Sequence, residues 1–213
     1  MTQSNEMLFI GITGGVGAGK SSILNYIGSN YPCEIYLADE VAHEVKKKGT
    51  PCYKALVKLL GKEVLDENGQ IDKGRMAAKI FTDGALLEKV NGLIHPAVKD
   101  YLMDKLSKAK KAGKNKLFFV EAALLIETGY GELVDEMWYV YAKRSVRIER
   151  LRENRGYSDE KIRQIMAAQL PDTKYREASD FVIDNSGDLE KACKRIDRKM
   201  KALGVEKIIK ENI

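Results

Sequence analysis

The chain has 213 residues, 44% hydrophobic and 31% charged, which suits a folded protein with one core and small insertions and excludes disorder as its main state. Lysine and arginine number 36 against 31 aspartate and glutamate, a net charge of +5 that fits an anionic partner without identifying one. Three widely spaced cysteines (Cys33, Cys52, Cys193) and two histidines (His43, His95) argue against a disulfide framework and a Cys/His metal cluster. No run approaches the ~20 apolar residues of a membrane span. Residues 1–6 show no leader pattern, and the cysteine usage leads us to expect a cytoplasmic protein; neither a membrane nor a nucleic acid is expected as partner.

Residues 7–13, MLFIGIT, form a short apolar run rich in β-formers and predict a buried strand. Residues 21–28 follow as a helix, with Ile23, Leu24 and Ile27 spaced for one buried face. Further strands are expected at 34–38, within 116–126, at 136–142 and at 180–184, with helical patterns between them. Such alternation predicts an α/β fold with a five-stranded parallel sheet in three layers.

Between the second and third strands lie roughly 75 residues that read almost wholly as helix. Thr50-Pro51 is a helix start, Gly61 a stop, and residues 66–69, DENG, a turn. Helix resumes at 73–81 and 85–106, with an interruption expected at His95-Pro96, because a residue before proline disfavours the α region. Residues 108–116, KAKKAGKNK, read as a solvated linker. The whole stretch is too long for a plain crossover and reads as a helical insertion. A second insertion, 143–169, is dense in arginine: Arg144, Arg147, Arg150, Arg152, Arg155 and Arg163. The last helix, 188–203, places Leu189, Cys193, Ile196 and Met200 on one stripe and ends at Gly204.

Residues 14–21 read G-G-V-G-A-G-K-S and match the phosphate-binding pattern G-x-x-x-x-G-K-[ST]. Glycines let the backbone wrap around phosphate oxygens, and amides at a helix start favour an anion. The predicted nucleotide site is Gly14, Gly15, Val16, Gly17, Ala18, Gly19, Lys20, Ser21 and Ser22. Lys20 supplies a point charge for the β- and γ-phosphates, and the Ser21 hydroxyl is a ligand for Mg²⁺ bridging the same groups. Context supports the motif, since it follows a strand and precedes a helix. No N-K-x-D segment accompanies it, and the D-x-x-G match at 66–69 lies in a turn, so a GTP switch is not indicated.

A phosphate-loop core, one insertion for an acceptor and one arginine-bearing lid make up the layout of a small-molecule kinase. Asp39, in L-A-D-E at the end of the second strand, is the candidate base for the acceptor hydroxyl. Glu121, late in the third strand, is a candidate for the Mg²⁺ shell; Glu40, Glu44 and Glu127 read as solvated.

In these segments the chain resembles the dephospho-CoA kinase family along nearly its full length. The shared elements are G-I-T-G-G-V-G-A-G-K-S-S, A-D-E-V-A-H at 38–43, the 69–81 segment ending in Ile-Phe, L-I-H-P-A-V at 93–98, A-L-L-I-E at 123–127, A-A-Q at 167–169 and D-F-V-I-D-N-S-G at 180–187. The resemblance implies transfer of a phosphoryl group from ATP to the ribose 3′-hydroxyl of dephospho-CoA. It implies a P-loop NTPase core of 1–45, 114–142 and 170–213, an acceptor insertion of 46–113 and a lid of 143–169. By the same resemblance His95, Lys73 and Arg75 face the acceptor, Asn185 lies near the ATP base, and a lid arginine, Arg155 or else Arg152, stabilises the transferring group. Leu37 stands where the family has a first aspartate, leaving Asp39 alone; His43 stands where arginine is common, and Asn154 where the lid arginine usually stands. A kinase for another small acceptor and a regulatory nucleotide-binding protein are the alternatives.

Overall fold

The computed structural model describes residues 7–81 and 83–209, so the expectation about residues 1–6 lies outside the described residues. Five strands form one parallel sheet in the order β2-β3-β1-β4-β5: β1 Leu8–Thr13, β2 Cys33–Leu37, β3 Leu117–Glu121, β4 Glu136–Tyr141 and β5 Phe181–Asp184. β1 pairs with β3 (Ile10 opposite Phe119) and with β4 (Ile12 opposite Trp138), and β4 pairs with β5. The inner strands are mostly apolar, with Thr13, Glu121 and Glu136 confined to their ends, because both faces are covered by helices, as parallel sheets require. Phe9, Phe118, Phe119, Trp138 and Tyr139 are all buried, with edge-on contacts of Phe9 to Phe118 and of Phe119 to Trp138.

The chain divides into two compact units, Met1–Ile35 with Ala109–Ile213, and Tyr36–Lys108. In the first, α1 (Lys20–Asn30) follows β1, and α9 (Leu189–Ala202) closes the chain against α1. Ala192, Cys193, Ile196 and Met200 of α9 are buried; Leu189, predicted for the same stripe, is 41% exposed because it sits at the first, solvent-facing turn. The 143–169 segment forms α6 (Arg144–Arg155) and α7 (Asp159–Ala167), and a short α8 (Asp172–Glu177) follows.

The second unit holds α2 (Ala38–Val45), α3 (Pro51–Leu60), a single 3-10 turn (Lys62–Val64), α4 (Lys73–Ile80) and most of α5 (Gly84–Ala112). Its helix starts are written in the sequence. The Thr50 hydroxyl accepts the Tyr53 N–H with Pro51 behind it, and the Asp72 carboxylate accepts the Arg75 N–H at 2.7 Å. Asp66 Oδ1 accepts the Asn68 and Gln70 N–H groups, which makes residues 66–69 the predicted turn.

Two expectations fail on α5. It runs unbroken through Pro96, and it continues into the predicted linker as far as Ala112. Proline removes one ladder bond, but the stripe of Val90, Val98, Leu102, Leu106 and Ala109 is buried on both sides of it. That burial outweighs a local preference worth about 3 kcal/mol. Among the described residues no helix is long and apolar enough to cross a membrane.

Candidate active site

The phosphate loop leaves the buried end of β1 and turns into α1 at Gly19, whose φ of 88° is left-handed. No side chain caps α1 and no acidic residue stands in its first turn, so its leading N–H groups keep their capacity for an anion. Lys20 Nζ donates to the Gly14 carbonyl at 2.8 Å and lies 3.4 Å from Glu121 Oε1 at the end of β3. Burial lowers the Lys20 pKa, Glu121 works against that by charge and hydrogen bond, and the nearby Arg147 and Arg155 guanidinium groups add to the lowering. Ser21 and Ser22 are exposed at the start of α1.

The outer side of the loop is held by side chains from far along the chain. Arg147, 8% exposed, donates through Nε to the Val16 carbonyl at 2.9 Å. Gln169 Oε1 accepts the Val16 N–H at 3.0 Å. Arg150 donates to the Ala18 carbonyl at 3.3 Å and to the Asn185 carbonyl at 2.9 Å. Asn185, 2% exposed, donates to the Ala18 carbonyl at 2.8 Å, while its own Oδ1 is buried with no partner. A Cβ at Gly15 would overlap the Arg147 guanidinium and push it from its bonds to Val16 and Gln169.

Arg155 and Arg152 sit differently. Arg152 is held by Asp159, Nε to Oδ1 at 2.6 Å, on an exposed surface. Arg155 is near enough to Lys20 to act on its charge, and its guanidinium beside Tyr157 lowers the pKa of that hydroxyl.

The remaining predicted residues lie in the Tyr36–Lys108 unit. Asp39 is exposed and belongs to the first turn of α2 rather than to the strand, which ends at Leu37. A groove of about 280 Å³ is lined by His43, Lys46 and Lys47, by Gln70 and Ile71, and by Lys73, Met76, Ala77 and Ile80 of α4. Lys46 is half-buried; burial and the neighbouring Lys73 lower its pKa, and Asp39 is close enough to pull the other way. Lys73 therefore joins a cluster, whereas Arg75 does not line the groove and gives its guanidinium to the Leu65 carbonyl. His95 is exposed on α5 and also does not line the groove. Sequence reasoning assigned no role to Arg147, Arg150 or Lys46. Arg147 and Arg150 share a face at helical spacing, and Asp39, His43 and Lys46 fall at i, i+4 and i+7, which are the signals that mark them.

A phosphate loop between the central strand of a parallel sheet and an uncapped helix, with a lysine poised over it, defines a P-loop kinase fold. The chain belongs to the dephospho-CoA kinase family, whose model (CoaE) matches residues 8–191. It is 31% identical to a dephospho-CoA kinase of Streptococcus mutans over 91% of this chain and 96% of that protein. Against the dephospho-CoA kinase of Geobacter metallireducens the identity is 33%, over 96% and 98% of the two chains. Among solved structures, TT1252 from Thermus thermophilus superposes with a TM-score of 0.77 at 27% identity, covering 92% of this chain and 97% of that one.

Proposed function

We propose that the protein transfers the γ-phosphoryl group of ATP to the ribose 3′-hydroxyl of dephospho-CoA, releasing CoA and ADP, the last step of CoA biosynthesis. The observation that carries this reading is the part-buried Lys20, held between Gly14 and Glu121 at an uncapped helix start, in a chain of this family. Phosphoryl transfer asks the protein mainly for positioning and for positive charge around the moving group. The loop N–H groups left without a partner among the described residues, unlike those of Val16 and Ala18, hold the triphosphate together with Lys20. Arg155, unlike Arg152, has no carboxylate holding it among the contacts described above and acts on the transferring group from the 143–169 lid.

Asp39 accepts or orients the proton of the 3′-hydroxyl. Its exposure leaves the carboxylate accessible to an acceptor. The acceptor insertion, 46–113, binds dephospho-CoA with its neighbour α2. In the groove, Lys46, Lys73 and His43 surround an anionic group, and Ile71, Met76 and Ile80 offer apolar surface to an arm attached to it. That combination suits a pyrophosphate carrying a pantetheine-like chain. Arg75 and His95 are assigned supporting contacts to the acceptor.

Mg²⁺ fits the donor set on the ATP side. The Ser21 hydroxyl and the Glu121 carboxylate are hard oxygen ligands, and Mg²⁺ in kinases takes one or two such protein oxygens together with substrate phosphates. When bound, the ion would neutralise charge on the phosphates. A cytoplasmic setting agrees with three free cysteines.

The test is ADP release from Mg-ATP with dephospho-CoA, adenosine, AMP and pantetheine phosphate offered separately. Release that depends on dephospho-CoA, with CoA identified by mass, is the expected result. Release with another acceptor alone would overturn the substrate assignment.

A further inference from the structure

Both ends of the 143–169 segment close on one residue of the phosphate loop. From the first end, Arg147 engages the Val16 carbonyl; from the second, Gln169 engages the Val16 N–H. The two side chains also meet, Arg147 Nη2 donating to the same Gln169 oxygen at 2.8 Å. The N–H and the carbonyl of Val16, which belong to the two peptide units flanking its Cα, are thereby both used, and the orientation of those units is set by residues 131 and 153 positions away.

The arrangement is built for a fixed guanidinium. Arg147 Nη1 is 3.7 Å from Asp172, which also accepts the Tyr139 hydroxyl at 2.8 Å, and the guanidinium lies over Gly15, where any side chain would displace it. A buried charge with this many partners is costly to move, because losing one leaves the others unpaired. Arg147 is thus committed to the loop backbone, a different task from that of Arg155.

We propose that Arg147 and Gln169 are positioning residues that hold the phosphate loop in its nucleotide-binding shape and couple nucleotide occupancy to the order of the segment between them, 148–168. The inference rests on reading the loop as the ATP site. Coupling of this kind is reciprocal: if the nucleotide orders the segment, loosening the staple weakens the nucleotide by the same factor.

The experiment uses the full chain with Gln169→Ala, Gln169→Glu and Arg147→Gln. Three quantities are read: ADP affinity by calorimetry, KM for the acceptor, and protection by ADP against trypsin, whose sites at Arg150, Arg152, Arg155 and Lys161 lie inside the segment. ADP is expected to protect the wild type. Gln169→Ala should bind ADP about ten-fold more weakly, lose the protection and keep its acceptor KM. Gln169→Glu keeps the oxygen that both partners use and should restore affinity and protection. Should Arg147→Gln fail to fold, the two Gln169 variants carry the test alone. Wild-type ADP affinity and intact protection in Gln169→Ala would overturn the inference, and so would a merely lowered Tm with binding unchanged. A wild type that binds no ADP would instead sink the ATP-site reading beneath it.

Discussion

In the proposed function the two units hold a phosphorylated ligand in opposite ways. In the nucleotide unit the binding surface is backbone, and the side chains around it are spent on fixing that backbone: Lys20 on Gly14, Arg147 and Gln169 on Val16, Arg150 and Asn185 on Ala18. In the Tyr36–Lys108 unit the groove proposed for the acceptor is lined by side chains, with His43, Lys47 and Lys73 exposed and Lys46 half-buried. A preorganised cradle lowers the cost of arranging charge at the moment of transfer. An open groove lined by cations suits recognition, and it can be altered without touching the cradle. Substitutions in one unit should therefore separate from those in the other in a steady-state analysis.

The largest separation is expected for Asp39→Asn. General base catalysis is worth about 10² to 10⁴ in rate, so turnover should fall by that order while ADP affinity, read by calorimetry, stays at the wild-type value. Turnover near wild type would remove Asp39 from the base role. On the other unit, Gly15→Ala forces the new methyl into the Arg147 guanidinium. Overpacking of this kind costs about 1–3 kcal/mol, so Tm should fall and ADP should bind about ten-fold more weakly. The collision is specific to one partner, so Gly15→Ala combined with Arg147→Ala should lose little more than Arg147→Ala alone. Full additivity of the two losses would show that Gly15 matters for another reason.

Lys46→Ala examines the groove. It should raise the acceptor KM about ten-fold, the value of one modest charged contact, and leave the KM for ATP unchanged. An acceptor lacking the pyrophosphate, such as adenosine, should not sense the change. Equal effects on both acceptors would mean that Lys46 supports the fold of α2 rather than a phosphate.

The two units also differ in how much of them the sequence displays. The phosphate loop is legible because its chemistry is contiguous: eight residues, 14–21, supply the turn, the amides, the lysine and the hydroxyl. The strands are legible because burial on both faces leaves apolar runs such as LFFV, broken only at the end of the strand by Glu121. What holds the loop is only partly legible: Arg147 is one of six arginines in 143–169 and Gln169 stands in the A-A-Q element that ends beyond α7, but only folding brings the two to Val16. Pro96 misleads in the opposite sense. A local rule predicts a break, and the buried stripe of Val98, Leu102 and Leu106 overrides it, which only the folded chain reveals. Lys46 falls between these cases: its helical register with Asp39 can be counted, but its partner Lys73 comes from a different helix.

The smallest effect tests whether the rigidity of the nucleotide unit extends to the far end of α1. There the hydroxyls of Tyr26 and Tyr31 donate to Asp197 Oδ1 at 2.6 and 2.7 Å, and Lys207, in the chain beyond α9, donates to Oδ2 at 2.7 Å. The Ile208 N–H donates to the Asn30 carbonyl at 2.8 Å, so the chain after α9 is tied across the end of α1. Burial on its own raises the Asp197 pKa, but the hydrogen bonds from Lys207, Tyr26 and Tyr31 bring it below the ordinary value. A folded-state pKa below the unfolded one gives stability that is complete above the unfolded value of about 4 and is lost as pH falls through the folded value. Asp197→Asn removes the charge-assisted bonds, worth about 1–2 kcal/mol in such a setting. At pH 7 its Tm should lie roughly 3–6 °C below wild type, and the gap should close as pH drops below about 4. A gap that persists unchanged at acid pH would assign the loss to packing rather than to the ionised carboxylate. The acceptor KM should not respond at all, because Asp197 and its partners belong to the nucleotide unit, whereas His43, Lys46 and Lys73 do not. A shift in acceptor KM would mean that stiffness at the end of α1 reaches the groove, and the division of labour between the two units would fail.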